Sequence, residues 1–355
     1  MRRPANTTLA LLVGVSLIVI VVTLYLTMPR QEPVSGPGVN FTQVNLSEYR
    51  VRFLGWVVDY DPFSVTDFSN HSSAFTWVSP TGLYVDEEYK LGGAPADVTS
   101  TARNESVMIL PLIANKNFDR SIVHGILSDT GVRDSVVDQI DRFVKAGGYD
   151  GVNIDFEDVP EGDRDLLTRF MQLLTERLRP EGELVTIDVP AKTSDTTIGW
   201  AGPYDYQALG QTCDLVILMV YDYHWSGGTP GAVSPLDWFE DVLRYSSSVI
   251  PASRLVVGIP FYGYDWPSGG TASGVSFQQA LGTAEQVGKP VRFSNASGEY
   301  TFSYSKGGVD HEVWFQGAKS TELRLQVMQR YGLDQVAAWC IGQEDPRTWE
   351  VIVRP

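Results

Sequence analysis

The sequence predicts an α/β chain: a (β/α)8 barrel with a small α+β insertion between the seventh and eighth strands, preceded by an N-terminal transmembrane helix. Three observations carry this reading. From residue 51 onward, short apolar runs alternate with amphipathic helical patterns, as repeated βα units on a parallel sheet require. About 300 residues remain beyond the N-terminal segments, which suits a barrel of roughly 250 residues plus an insertion. Residues 9–28 form an apolar stretch without charge, long enough to span a bilayer.

Taken in order, residues 1–29 read as a single-pass anchor. Arg2 and Arg3 precede the apolar stretch, and Arg30 and Glu32 follow it, which points to a cytoplasmic N-terminus and an extracytoplasmic remainder. Secretion after signal cleavage is the alternative. A signal peptide, however, has a shorter apolar region of about 7–15 residues and a small-x-small cleavage site, which the stretch before Pro29 lacks. Residues 30–48 read as a linker, because the Pro and Gly clustered up to Gly38 deny it regular hydrogen bonding. Six glycosylation sequons, at Asn6, Asn40, Asn45, Asn70, Asn104 and Asn295, are compatible with an exterior location.

The folded region is read as 49–355. Its eight strand-like runs are 51–59, 73–78, 106–113, 151–157, 184–189, 215–221, 254–261 and 335–339, most of them near-continuously apolar, as strands covered on both faces should be. Helices fit between them. Residues 134–146 carry Val136, Val137, Ile140, Phe143 and Val144 at helical spacing, and 164–178 repeat the pattern with Leu166, Leu167, Phe170, Leu173 and Leu174. Between about 264 and 316 the alternation breaks into a helix near Phe277 and two antiparallel strands around Tyr300 and His311, which is read as the insertion.

Composition narrows the function. A formal charge of −16 repels phosphate backbones and anionic headgroups, which argues against a nucleic-acid partner and a polybasic membrane patch. Cys213 and Cys340 each lie in an apolar run and read as buried thiols. His71, His124, His224 and His311 show no metal-ligand spacing, so no metal or cofactor is expected.

The strongest chemical feature is Asp150-Gly-Val-Asn-Ile-Asp-Phe-Glu157. Strand alternation puts Asn153, Asp155 and Glu157 on one face and Val152, Ile154 and Phe156 on the other. In a barrel the apolar set meets the helices and the polar row points inward, leaving Glu157 at the C-terminal strand end, where such active sites are built. A like-charged neighbour, Asp155, and aromatic surroundings would raise the Glu157 pKa, as a general acid at neutral pH needs. Two same-face neighbours cannot easily straddle a glycosidic bond as acid and nucleophile, so the nucleophile would come from the substrate.

This segment resembles the Asp-x-x-Asp-x-Asp-x-Glu signature of glycoside hydrolase family 18, the chitinase-like enzymes, with Asn153 where most members have the second of three aspartates. Bacterial cell-wall members, including spore-cortex peptidoglycan N-acetylglucosaminidases, are similar in reading Gly-Val-Asn-Ile-Asp-Phe-Glu. Met219-Val-Tyr-Asp222 resembles the family's Met-x-Tyr-Asp, Gly258-Ile-Pro-Phe-Tyr-Gly263 its seventh-strand segment, and His311-Glu-Val-Trp-Phe the end of the insertion in the cell-wall branch. The resemblance implies Glu157 as acid, with Asp155 and Tyr221 stabilising an oxazolinium ion formed by the substrate's own acetamido group. It further implies Asn153, Met219, Asp222 and Trp339 as substrate-binding residues, Trp339 forming the floor of the −1 subsite. The partner implied is an amino-sugar polysaccharide: peptidoglycan, chitin or an N-glycan core. Trp56, Trp77, Trp225 and Trp266 are read either as sugar-stacking or as core residues.

Rival chemistries find less support. Asp150 lies off the parity of Asp155 and Glu157, which disfavours a metal hydrolase, and no P-loop or Gly-x-Ser-x-Gly elbow occurs. The competing class is a chitinase-like lectin that binds glycans without cutting them. Such proteins usually lose the acid, and Glu157 is retained.

Overall fold

The computed structural model describes residues 49–353. The expected anchor (1–29) and linker (30–48) lie outside the described residues. Among the described residues no helix is long and apolar enough to cross a membrane.

Eleven strands make one curled sheet. In chain order they are β1 (Arg52–Val57), β2 (Trp77–Pro80), β3 (Leu83–Val85), β4 (Leu91–Gly93), β5 (Met108–Ile109), β6 (Leu112–Asn115), β7 (Gly151–Asp155), β8 (Leu184–Pro190), β9 (Leu215–Met219) and β10 (Leu255–Pro260), with a last strand, Gln335–Trp339, that follows the insertion. The insertion is a second, antiparallel sheet of β11 (Tyr262–Pro267), β12 (Ser273–Ser276), β13 (Arg292–Ser294), β14 (Glu299–Lys306) and β15 (Val309–Phe315), which makes Gln335–Trp339 β16. The main sheet runs β4-β3-β6-β7-β8-β9-β10-β16-β1-β2-β5, and all its pairings are parallel except the β3–β4 hairpin.

The third predicted strand is split in two, which corrects the continuous reading of 106–113. Pro111 has no N–H to give a ladder. Before it, β5 pairs with β2, and the Leu110 N–H donates to Val78 O at 2.9 Å; after it, β6 pairs with β7, and Pro111 O accepts from the Asn153 N–H at 3.0 Å. The chain over 108–115 is thus bonded to strands on both sides, and the sheet curls into a TIM-like barrel. The second predicted strand starts later than expected, because the helix Pro62–His71 runs on through a 3-10 turn, Ser72–Ala74. The β3–β4 hairpin was not anticipated; its three-residue strands are too short to show periodicity.

Side-chain parity sorts the core into two layers. Leu54, Trp56, Trp77, Leu112, Ile217 and Ala337 fill the barrel interior. Phe53, Val78, Ile113, Val152, Ile154 and Phe156 pack outward against the helices, Phe156 against Phe170 of the helix Arg164–Leu178 at 5.2 Å between ring centroids. Cys213 and Cys340 are free and buried.

A buried ion pair ties the insertion to the barrel. Glu299 on β14 accepts from the backbone N–H groups of Val233 (2.9 Å) and Ser234 (2.6 Å) and from Arg324 Nη2 (3.0 Å), and both charged side chains are almost wholly enclosed. Such a pair is costly to break from one side, because the other charge is left buried and alone.

Candidate active site

The C-terminal ends of the barrel strands open into a cavity of about 920 Å3, well within the range of ligand sites. Of the residues predicted from sequence, Asp155, Glu157, Met219, Tyr221, Asp222 and Trp339 all line it. Asn153 does not. It lies beneath, fully buried, with its Nδ2 donating to Asp188 Oδ2 at 2.8 Å and to Ser79 Oγ at 3.3 Å, while its Oδ1 accepts from Thr186 Oγ1 at 2.7 Å. Asn153 is thus not brought to the cavity wall with the other expected residues; it holds the Asp188 carboxylate, which does line the cavity.

Glu157 lies just past the end of β7, and its main chain is held by Asn115 at the end of β6. Asn115 Oδ1 accepts from the Glu157 N–H at 2.9 Å, and Asn115 Nδ2 donates back to Glu157 O at 3.1 Å. On either side, Tyr204 OH donates to Phe156 O at 2.7 Å, and Arg120 Nη2 to Asp158 Oδ1 at 2.6 Å. Asp158 sits in the left-handed region at φ 51°, a conformation that costs a non-glycine residue energy and that these contacts enforce. The turn therefore fixes the main chain from which the Glu157 side chain projects.

The electrostatics favour a protonated acid. Burial pushes the Glu157 carboxyl up to about 9, with Asp155, Asp222 and Asp158 adding to the effect in that order. Asp155 is held well above the carboxylate range by burial first and by Asp188 second, and Asp188 is raised chiefly by its own burial, partly offset by the Asn153 amide. The Trp56 indole also offsets part of the Asp188 rise, while Asp155 Oδ1 has no hydrogen-bond partner among the described residues. Burial also raises the Tyr221 hydroxyl, keeping it a donor. Asp222, at φ 59°, accepts from the Tyr262 hydroxyl and from Tyr264 OH at 3.0 Å, so its carboxylate is aimed by two rings of the insertion.

Aromatic side chains wall the cavity. Trp339 is backed edge-on by Trp56 at 5.9 Å, and Trp225, Trp200 and Phe118 stand exposed at the rim. Trp77 and Trp266 are core residues instead, at 4% and 2% exposure, which resolves for them the choice left open by sequence.

Sequence reasoning missed Asp188, although a signal was present. In Thr186-Ile-Asp-Val, the polar residues share the inward parity of Asn153 and Asp155, and Asn153 pairs in register with Thr186. Asn115 carried no comparable signal, since its role depends on how a split strand ends. Tyr262 and Tyr264 lay in the segment read as a strand end and the start of the insertion.

A TIM-like barrel whose mouth holds a proton-bearing carboxyl within a cleft of aromatic rings defines the glycosidase class. The chain belongs to the glycosyl hydrolases family 18, whose model matches residues 66–344. Among curated proteins it is 33% identical over 316 residues to YdhD of Bacillus subtilis, which is named as a sporulation-specific glycosylase; the match spans 85% of this chain and 74% of that one. Among solved structures it is similar to the spore cortex-lytic enzyme SleL of Bacillus megaterium, with a TM-score of 0.79, 28% identity, and coverage of 86% of this chain and 74% of that one. It is also similar to a chitinase from Chromobacterium violaceum, with a TM-score of 0.80, 26% identity, and coverage of 86% and 98%.

Proposed function

We propose that the protein hydrolyses β-linked N-acetylglucosamine glycans with retention of configuration, using the substrate's acetamido group as nucleophile. The observation that carries this is Glu157: a carboxyl that keeps its proton up to about pH 9, held at the rim of the cavity beside Asp155. Glu157 donates that proton to the glycosidic oxygen as the bond to the leaving sugar breaks. The acetamido carbonyl oxygen of the −1 sugar closes on the anomeric carbon and gives an oxazolinium ion. The Tyr221 hydroxyl donates to that oxygen, Asp155 faces the acetamido nitrogen, whose positive charge grows, and Trp339 lies under the sugar ring. Water then adds to the anomeric carbon from the face the leaving group vacated, giving its proton to the Glu157 carboxylate and restoring the acid. This route is one of the exceptions to the paired-carboxylate rule.

The substrate favoured is a bacterial cell-wall glycan, in keeping with relatives named for sporulation and cortex lysis. Residues 1–29 would hold the enzyme at the membrane with its catalytic part outside. The test is reducing-end release from purified peptidoglycan and from an N-acetylglucosamine oligomer by the full chain. The expected result is release from both, faster from peptidoglycan. Binding of both glycans without release would replace this reading with that of a lectin.

A further inference from the structure

Trp225 lines the cavity with 56% of its surface open to solvent, yet the chain beneath it is tied down. Trp225 O accepts from the Gly228 N–H at 2.9 Å and from Nε1 of the buried Trp266 at 3.3 Å. Ser226 O accepts at 2.8 Å from the N–H of Ala272, which lies between β11 and β12, so the insertion grips this loop at two points. The indole is folded back over a pair of glycines. A Cβ added at Gly227 would run into the ring at Cζ3 and Cη2, and one at Gly228 would lie 3.1 Å from Cδ1 and Nε1. Neither glycine takes a positive φ, so the demand for glycine comes from the ring above and not from the backbone.

A ring of this size gains free energy by leaving water, so a loop that fixes one in the open at a cavity rim offers it to a ligand. An indole suits a sugar, because its flat apolar face can cover the sugar's C–H groups while the hydroxyls stay wet. The position of the ring indicates which sugar. The exposed rings at the rim follow successive strands around the acid: Phe118 comes after β6, Trp200 after β8 and Trp225 after β9, with Glu157 after β7. The Gly199 N–H, beside Trp200, donates to Glu161, four residues beyond Glu157. Trp339 and Trp56, on β16 and β1, close the other side of the mouth. A general acid protonates the leaving-group oxygen, so the rings grouped with it stand on the leaving-group side of the scissile bond.

We propose that Gly227 and Gly228 are positioning residues that seat the Trp225 indole as a platform for a sugar of the leaving group. The proposal rests on the glycosidase reading for the direction of the chain. The glycine pair acts by preorganisation: a ring already lying flat on its seat need not be ordered when the sugar arrives, so more of the contact appears as affinity. A methyl group at Gly227 occupies the seat and turns the indole away. Because more than half of that ring faces solvent, it can swing aside without disturbing the core, so the substituted chain still folds.

The test compares two substrates of the full chain: an N-acetylglucosamine tetramer cut at its central bond, and the fluoride of the N-acetylglucosamine disaccharide. Both carry the same two glycone sugars and differ only in the leaving group, so the ratio of their kcat/KM values reports the leaving-group side alone. The expected result is that Gly227→Ala and Trp225→Ala each lower that ratio about tenfold, equivalent to about 1.4 kcal/mol, chiefly through KM on the tetramer. Turnover of the fluoride shows that the variants fold. The double variant should match Trp225→Ala alone, because glycines that act through the ring have nothing left to position once it is gone. An unchanged ratio, or a further fall in the double variant, overturns the proposal. Tetramer binding to the chain carrying Glu157→Gln, with and without Gly227→Ala, is measured beside it. If the unsubstituted chain cuts neither substrate, the glycosidase reading fails, while about tenfold weaker binding with Gly227→Ala still supports the seat and equal binding overturns it.

Discussion

The Asn153 amide nitrogen lies 2.8 Å from the Asp188 carboxylate, so a residue that cannot ionise holds an acid of the neighbouring strand that lines the cavity. The Thr186 hydroxyl, 2.7 Å from Asn153 Oδ1, fixes which way the amide faces. Asp155 is thus coupled to an acid on β8 as well as to Glu157 just past its own strand, and Asn153 spares the site a further buried carboxyl.

Asp188→Asn removes the charged neighbour that adds to the effect of burial on Asp155. The Asp155 carboxyl then titrates at lower pH, and the limb of the kcat profile that it governs moves toward acid. Profiles of the two proteins on an N-acetylglucosamine oligomer check this, and superimposed limbs count against the coupling.

Asn153→Asp restores the more common family residue in a setting built for an amide. The Asp188 carboxylate loses its donor, and a third acid enters the cluster, which costs about 1–3 kcal/mol of stability at neutral pH. The loss shrinks below about pH 4, where unfolded carboxyls are protonated too. Chemical denaturation at both pH values measures it.

Glu157 links stability to pH. Its folded-state value of about 9 lies far above that of an unfolded glutamate, near 4.3, so the unfolded chain gives up this proton first. This group's contribution to stability is fully present below about pH 4 and is lost as pH rises toward 9. Glu157→Gln lacks that dependence. Its melting temperature should match wild type near pH 4 and exceed it increasingly up to pH 9; parallel curves across that window contradict the shift.

Asn115→Ala leaves two main-chain groups of Glu157 without their partner. The acid is then misplaced, not removed, so kcat falls about tenfold or more while KM changes little. Glu157 keeps its raised pKa, so the alkaline limb stays near pH 9. A KM effect of the same size would mean that Asn115 shapes the subsite and does not merely position the acid.

Sequence carried the barrel and its catalytic strand because both rest on local rules. The polar parity of Asn153, Asp155 and Glu157 appears in any alternating strand, and the helix read over 164–178 is found as Arg164–Leu178 because five apolar residues recur at its spacing. What it could not carry depends on contacts distant in sequence. Asn115 meets Glu157 across 42 positions, and Tyr262 reaches Asp222 across 40. The split at Pro111 follows from which neighbours flank each half of the strand, which no single run reveals.

The most direct test follows the anomeric proton signals by NMR during the first minutes of hydrolysis of an N-acetylglucosamine pentamer by the full chain, with Glu157→Gln run beside it. The account predicts the β-anomer as the first product from wild type and a rate lower by about 10²–10⁴-fold in the variant, the usual contribution of a positioned acid. The α-anomer appearing first, or an undiminished rate in the variant, would contradict it.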